Sequence, residues 1–282
     1  MFRSQDCITD TNKKTTCYTK KSLVIIAKAL ALEGYPIKIS QSKDKLYQEI
    51  ETQMKKISSC ETEQCWLTMT NVIEHLSEKE IDILHANFKP PMPSTWKVNP
   101  EEWLTNIDLE KVLQRYSQVD PSFFTYGAIP VDSFKQKVCI HKLCQFNLHS
   151  HLEKNHTKIA IIFNTDEHDE PGQHWVCVYI DVMGENLNEP CIYYFDSYGE
   201  KPPQDINTFA NEIIKQGKKN NIDFLYTFND EQHQKQGGEC GIYCLHFVTY
   251  MKNKGDFQTY VTDKKSNESM HKYRRYFFKQ TD

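Results

Sequence analysis

The chain has 282 residues, 39% hydrophobic and 12% aromatic, with a net charge of −4; that length suits one large domain or two smaller ones, and that charge argues against nucleic acid as the main partner. Its apolar runs, such as Ile159-Ala160-Ile161-Ile162-Phe163, fall far short of a membrane span, so no membrane partner is expected. The start, Met1-Phe2-Arg3-Ser4-Gln5-Asp6, lacks an apolar signal core, and the ten cysteines then read as reduced thiols in a cytosolic setting rather than as a disulfide scaffold.

Residues 1–18 are polar and aperiodic and read as a loose arm. A helix is expected over 19–33, where Leu23, Ile26, Ala27 and Leu30 recur at helical spacing before Gly34. Further helices are expected over 43–57, with Leu46, Ile50, Met54 and Ile57 on one face, then over 61–76 and 78–86. Pro90, Pro91 and Pro93 forbid a helix and mark a boundary near 88–95. This divides the chain into a small helical N-terminal domain, 1–88, and a second domain, 89–282.

A helix over 106–116 opens the second domain, and residues 117–155 yield no clear pattern. The period then switches to extended. Strands are expected over 158–164, 174–182, 191–197 and 222–228. The second is apolar on both faces, which places it centrally in a sheet. Helices are expected over 205–217, from Cys240 onward and over 269–279. Without a regular βαβ rhythm, the class is α+β.

The chemistry gathers around Gln234-Lys235-Gln236-Gly237-Gly238-Glu239-Cys240-Gly241, a polar glycine-rich loop running into an apolar helix. A thiol in a helix's first turn meets unpaired N–H groups and the positive end of the dipole, a setting that favours the nucleophilic thiolate. The bland alternative is one buried cysteine among ten. A cysteine nucleophile needs a base and an orienting group. His174 opens the central strand, against rivals His168, His233 and His246. If the strands over 174–182 and 191–197 form an antiparallel hairpin centred on Glu185, Asp196 lies beside His174 and can fix its tautomer. Alone, Asp196 reads as a turn residue before Ser197-Tyr198-Gly199. Gln234 offers an amide to an oxyanion hole together with the N–H of Cys240, with Gln232 and Gln236 as competitors. Gly237 and Gly238 let the backbone approach a substrate closely.

The elements His174-Trp175, Phe195-Asp196-Ser197 and Gln234 through Cys240-Gly241, in this order and spacing, resemble the SUMO-type ubiquitin-like-protein protease clan, which includes adenovirus-type proteases. The motif region covers about residues 157–250. The likeness is greatest to a viral polyprotein-processing branch, and extends upstream to Asn106-Ile107-Asp108 and Leu113-Gln114-Arg115. It implies a papain-like core with a central mixed sheet flanked by helices, preceded by an arm domain. It further implies a Cys240–His174–Asp196 triad, Trp175 and Gly238 as walls of a narrow tunnel, and cleavage of capsid or core polyproteins after Gly-Gly. The corresponding places are the host cytoplasm and the virion. That branch uses an asparagine where this chain has Asp196, so removal of a ubiquitin-like modifier stays open as an alternative. A catalytically dead binding scaffold is a third reading, and for Trp175 so is a plain core role. Cys139-Ile140-His141-Lys142-Leu143-Cys144 and the Cys60/Cys65 pair lack the paired spacing of zinc sites, so no metal or other cofactor is expected. Asp166-Glu167-His168-Asp169-Glu170 reads as a solvated loop, and His271-Lys272-Tyr273-Arg274-Arg275 as an exposed helix face.

Overall fold

The computed structural model describes residues 6–9, 15–135, 139 and 141–280. The chain forms two compact units, Met1–Pro90 and Pro91–Asp282.

The first unit is helical. α1 (Lys20–Leu32), α2 (Lys43–Ile57), the short α3 (Thr70–Ile73) and α4 (Glu78–His85) follow in order. Their starts are set by caps. Thr19 and Ser42 accept first-turn N–H groups, and Ser77 with Glu80 closes a capping box. Leu23, Ile26, Leu30, Leu46, Ile50, Met54 and Trp66 form the core. The helix expected over 61–76 is instead a 3-10 turn, Glu63–Thr68, and one helical turn, because Met69 between them is extended. Much of the expected loose arm, residues 1–5 and 10–14, lies outside the described residues. The described part is not loose: Tyr18 is fully buried and donates to the Glu63 carbonyl.

The second unit begins with α5 (Asn106–Val119), started by a Thr105/Asp108 capping box. β1 (Phe123–Pro130), α6 (Leu148–Glu153), β2 (Lys158–Asn164), β3 (Trp175–Asp181) and β4 (Cys191–Phe195) follow. α7 (Gln204–Lys219), β5 (Leu225–Phe228), α8 (Cys240–Lys252), α9 (Phe257–Thr262) and α10 (Asn267–Phe277) complete it. The strands make one mixed sheet in the order β1-β2-β3-β4-β5, parallel at its two outer pairings and antiparallel between. This is the α+β architecture expected: a central mixed sheet with helices against it. β3 is central and wholly buried. One of its faces, Val176, Val178 and Ile180, meets Phe209 and Ile213 of α7. The other packs on α8, where Cys244 Sγ donates to the Trp175 carbonyl at 3.3 Å. α8 is buried on nearly all sides, from Cys240 to Met251, as expected of a core helix.

The expectation of ten reduced thiols is overturned. Cys7–Cys17, Cys60–Cys65 and Cys139–Cys144 are disulfides, with Cα separations of 5.0, 5.6 and 5.7 Å, within the reach such a bridge requires. The compartment argument could not see that these pairs sit close in space. Cys177, Cys191, Cys240 and Cys244 remain free thiols, all buried. Among the described residues, no helix is long and apolar enough to cross a membrane.

Candidate active site

The site forms where β3 begins, β4 ends and α8 starts. β3 and β4 are antiparallel, pairing Tyr179 with Tyr193 and Asp181 with Cys191. This ladder is centred on Asn186, one residue beyond the centre expected. His174 and Asp196 are therefore diagonal rather than directly opposite. Diagonal neighbours across an antiparallel pair lie within reach of long side chains, and the ring spans the gap. His174 Nε2 donates to Asp196 Oδ1 at 2.6 Å. Nδ1 is thereby left for Cys240, whose thiol lies within hydrogen-bonding reach of the ring. The Tyr198 ring lies against the imidazole, centroids 4.6 Å apart.

Burial by itself would lower the His174 pKa. The hydrogen bonds to Asp196 and Cys240, with the Asp196 charge beside the ring, outweigh it and push the value up to about 9. At neutral pH the ring is therefore held as an imidazolium.

Asp196 is itself fixed. Its Oδ1 also accepts the Tyr198 N–H at 2.9 Å. Its backbone is clamped by Asn229, whose Oδ1 accepts the Asp196 N–H at 2.8 Å and whose Nδ2 donates to the Asp196 carbonyl at 2.7 Å. The turn reading of Asp196 also holds, since its carbonyl accepts from the Gly199 N–H. Gly199 has φ +75°, and a Cβ there would lie 2.8 Å from the backbone of Glu231. Only glycine lets the two loops approach this closely.

Gln234 is wholly buried. Its Oε1 accepts from Ser197 Oγ at 2.7 Å, and its Nε2 donates to the Gly237 carbonyl at 2.7 Å. The amide is thus pinned between the Asp196 turn and the glycine loop. The competitor Gln232 instead donates to the Gln234 carbonyl. Cys240 is 2% exposed. No side chain caps the N-terminus of α8, so its first-turn N–H groups are not claimed by a neighbouring cap.

The rival histidines lie elsewhere. His168 pairs with Asp132, His233 donates to the Val261 carbonyl and His246 meets Tyr260. Trp175 is buried, and its Nε1 donates to the Leu104 carbonyl at 3.0 Å. Gly238 lies under Trp103, a half-exposed ring that a methyl at Gly238 would overlap. Trp103 and Trp175 both line a cleft of about 390 Å³, walled also by Asn106, Pro130, Glu170 and Gly172. Sequence reasoning gave Tyr198 no role beyond the turn after Asp196, and gave Asn229 and Trp103 no role in the site. Tyr198 carried a signal, its place two residues after Asp196; Asn229 and Trp103 carried none.

Among the described residues, no cluster of three or more His, Cys, Asp or Glu side chains could hold a metal. The four cysteines weighed for zinc are in disulfides.

A family model described as YopJ Serine/Threonine acetyltransferase matches residues 131–280, more than half of the chain. A thiol protease of Acanthamoeba polyphaga mimivirus is 29% identical over 86% of this chain and 77% of its own length. A cysteine protease of African swine fever virus is 26% identical over 80% of this chain and 86% of its own. The crystal structure of the African swine fever virus protease shares the fold, with a TM-score of 0.63 at 21% identity, over 98% of this chain and 96% of that one. The chain belongs to the family of the YopJ model and, with these relatives, is a cysteine protease of the SUMO-protease-like group.

Proposed function

We propose that the protein is an endopeptidase that cuts viral capsid or core polyproteins after Gly-Gly, with Cys240 as nucleophile, His174 as acid and base, Asp196 as orienting carboxylate and Gln234 as oxyanion donor. One observation carries this reading: the His174 ring lies between Asp196, 2.6 Å from its Nε2, and Cys240 at the uncapped start of a buried helix. The Cys240 thiolate attacks the scissile carbonyl carbon. The oxygen that gains the charge is met by the Cys240 N–H and the Gln234 amide. His174 gives its Nδ1 proton to the departing amine, so the peptide C–N bond breaks and an acyl thioester remains. Water then attacks that thioester, with His174 taking its proton, and the thiolate is restored.

Gly-Gly specificity is supported by crowding: Trp103 lies on Gly238 and Trp175 on the first turn of α8 near Gly241. Both rings line one cleft of about 390 Å³, and walls this bulky suit a substrate without side chains. The same reading makes residues 1–88 a helical arm domain that serves a protease core over 89–282, acting in the host cytoplasm and the virion. The test is incubation with a polyprotein fragment containing a Gly-Gly-X junction, beside a SUMO C-terminal conjugate. Cleavage at the junction that Cys240→Ala abolishes supports the proposal. Turnover of the conjugate alone assigns modifier removal instead. Cleavage unchanged in Cys240→Ala would sink it.

A second reading rests on the match to the acetyltransferase model over residues 131–280. Here Cys240 takes an acetyl group from an acetyl thioester donor, releasing that donor's thiol, and passes it to a Ser or Thr hydroxyl, whose proton His174 accepts. Acetylation of a Ser/Thr peptide that requires Cys240, with no junction cleaved, would favour it.

A further inference from the structure

A cavity of about 530 Å³ borders α10, and neither His174, Asp196 nor Cys240 lines it. Its walls include Trp96, Lys97, His271, Lys272, Arg274 and Arg275. Four of these carry permanent positive charge, and none of the described residues lining the cavity is acidic. Met92, Pro93 and Pro100 complete an apolar wall, which strengthens any charge interaction inside by keeping water out.

Arg274 is the unusual member. It was expected on an exposed helix face, but it is 3% exposed. Its Nε donates to both oxygens of Glu239, at 3.0 and 2.9 Å, and its guanidinium lies over the Trp96 ring, Cζ 4.3 Å from the centroid. One edge and one face of the group are thus occupied. Nη1 and Nη2 are both buried and have no hydrogen-bond partner. Buried donors are seldom left so. A guanidinium fork of this kind matches two oxygens of one anion. Glu239 offsets the charge of Arg274, and Glu268 at 2.8 Å offsets that of Lys272. Lys97 and Arg275 add further positive charge at the walls.

We propose that this cavity is an oxyanion-binding site that takes a phosphate or carboxylate group on the Nη fork of Arg274. The site stands one ion pair from the nucleophile's helix, because Arg274 holds Glu239, the residue preceding Cys240. Neither the binding nor its test depends on the catalytic role of Cys240.

The test is thermal unfolding of the full chain in rising sodium phosphate or sodium benzoate, with ionic strength held constant by sodium chloride. A ligand that binds only the folded state raises Tm saturably. At least one of the two anions is expected to do so. Phosphate alone acting assigns a phosphate ligand, and benzoate acting assigns a carboxylate on an apolar body. Arg274→Lys keeps the charge but loses the fork, and is expected to weaken binding at least about tenfold. If that variant does not fold, Lys97→Ala replaces it, with an expected loss of about threefold. Absence of a saturable rise with either anion overturns the proposal. So does undiminished binding in Arg274→Lys or, where that variant fails to fold, in Lys97→Ala.

Discussion

Two buried carboxylates flank the loop that leads to Cys240, and each holds a cation. Asp196 holds His174, and Glu239 holds Arg274. Both carboxylates are almost fully buried, 2% and 5% exposed, yet the pairs do different work. The partner of Asp196 titrates within the range where enzymes operate and keeps 14% of its side chain exposed. The buried partner of Glu239, Arg274, stays charged at every relevant pH and lies over the Trp96 ring. A titratable, partly open pair can move protons. A permanently charged pair moves no proton. The same Coulomb attraction thus joins a titratable pair on one side of the loop and a permanently charged pair on the other.

The largest effect is expected from breaking the first pair's partnership with the thiol. Cys240→Ala or His174→Ala should each lower kcat/KM on a Gly-Gly junction by about 10⁴-fold or more, with the fold kept, as read by circular dichroism. Retained activity in either variant removes the triad. Breaking the second pair comes next. Glu239→Gln leaves the buried Arg274 guanidinium without its counter-charge and should destabilise by about 3–5 kcal/mol. Because arginine does not titrate, that loss should be the same at pH 6 and pH 9 in denaturant titrations made in a His271→Ala background, which removes the second contact of Glu239 at 3.0 Å. A loss that varies strongly with pH would erase the contrast between the pairs.

Asp196→Asn keeps the shape and removes the charge. The His174 pKa is raised from 6.5 to about 9 in the folded state. Its contribution to stability is therefore full below pH 6.5 and is lost as pH rises through about 9. From that shift it is on the order of 3 kcal/mol. Wild type should lose Tm between pH 6 and pH 10 more steeply than Asp196→Asn. Coincident profiles would mean that Asp196 does not set the histidine. The smallest effect belongs to a residue outside both pairs. Gly238→Ala must push aside the half-exposed ring of Trp103, and should raise KM about tenfold while costing under about 1.5 kcal/mol of stability. An unchanged KM would argue that substrate does not pass along that ring.

Much of this fold is written in local periodicity. The continuous apolar runs of β2 and β3 mark strands, and the apolar stripe of α2 marks a helix, without any tertiary information. β1 escaped because Gly127 introduces a bulge and Pro130 ends the strand, which breaks the alternation that would reveal it. The segment over 61–76 misled because its composition suits a helix, whereas the extended Met69 interrupts it. The hairpin of β3 and β4 was visible from its turn residues, but its centre was not. One residue of shift in the centre changes a direct pair into a diagonal one, and only the packed sheet fixes that choice.

The sequence by itself determined the parts of the site that depend on short spacing: a thiol opening a helix after a glycine loop, a histidine opening a strand, and an aspartate ending the next. The tertiary structure decided what surrounds them. Asn229 clamps Asp196 from 33 residues away, and Arg274 reaches Glu239 across 35. The three disulfides likewise depend on how close the folded chain brings their cysteines. Such partners carry no period and no fixed offset, because they are set by which surfaces the core brings together. Even the opening thiol needed this. The sequence put Cys240 at a helix start, but only burial of α8 against β3 placed it beside His174.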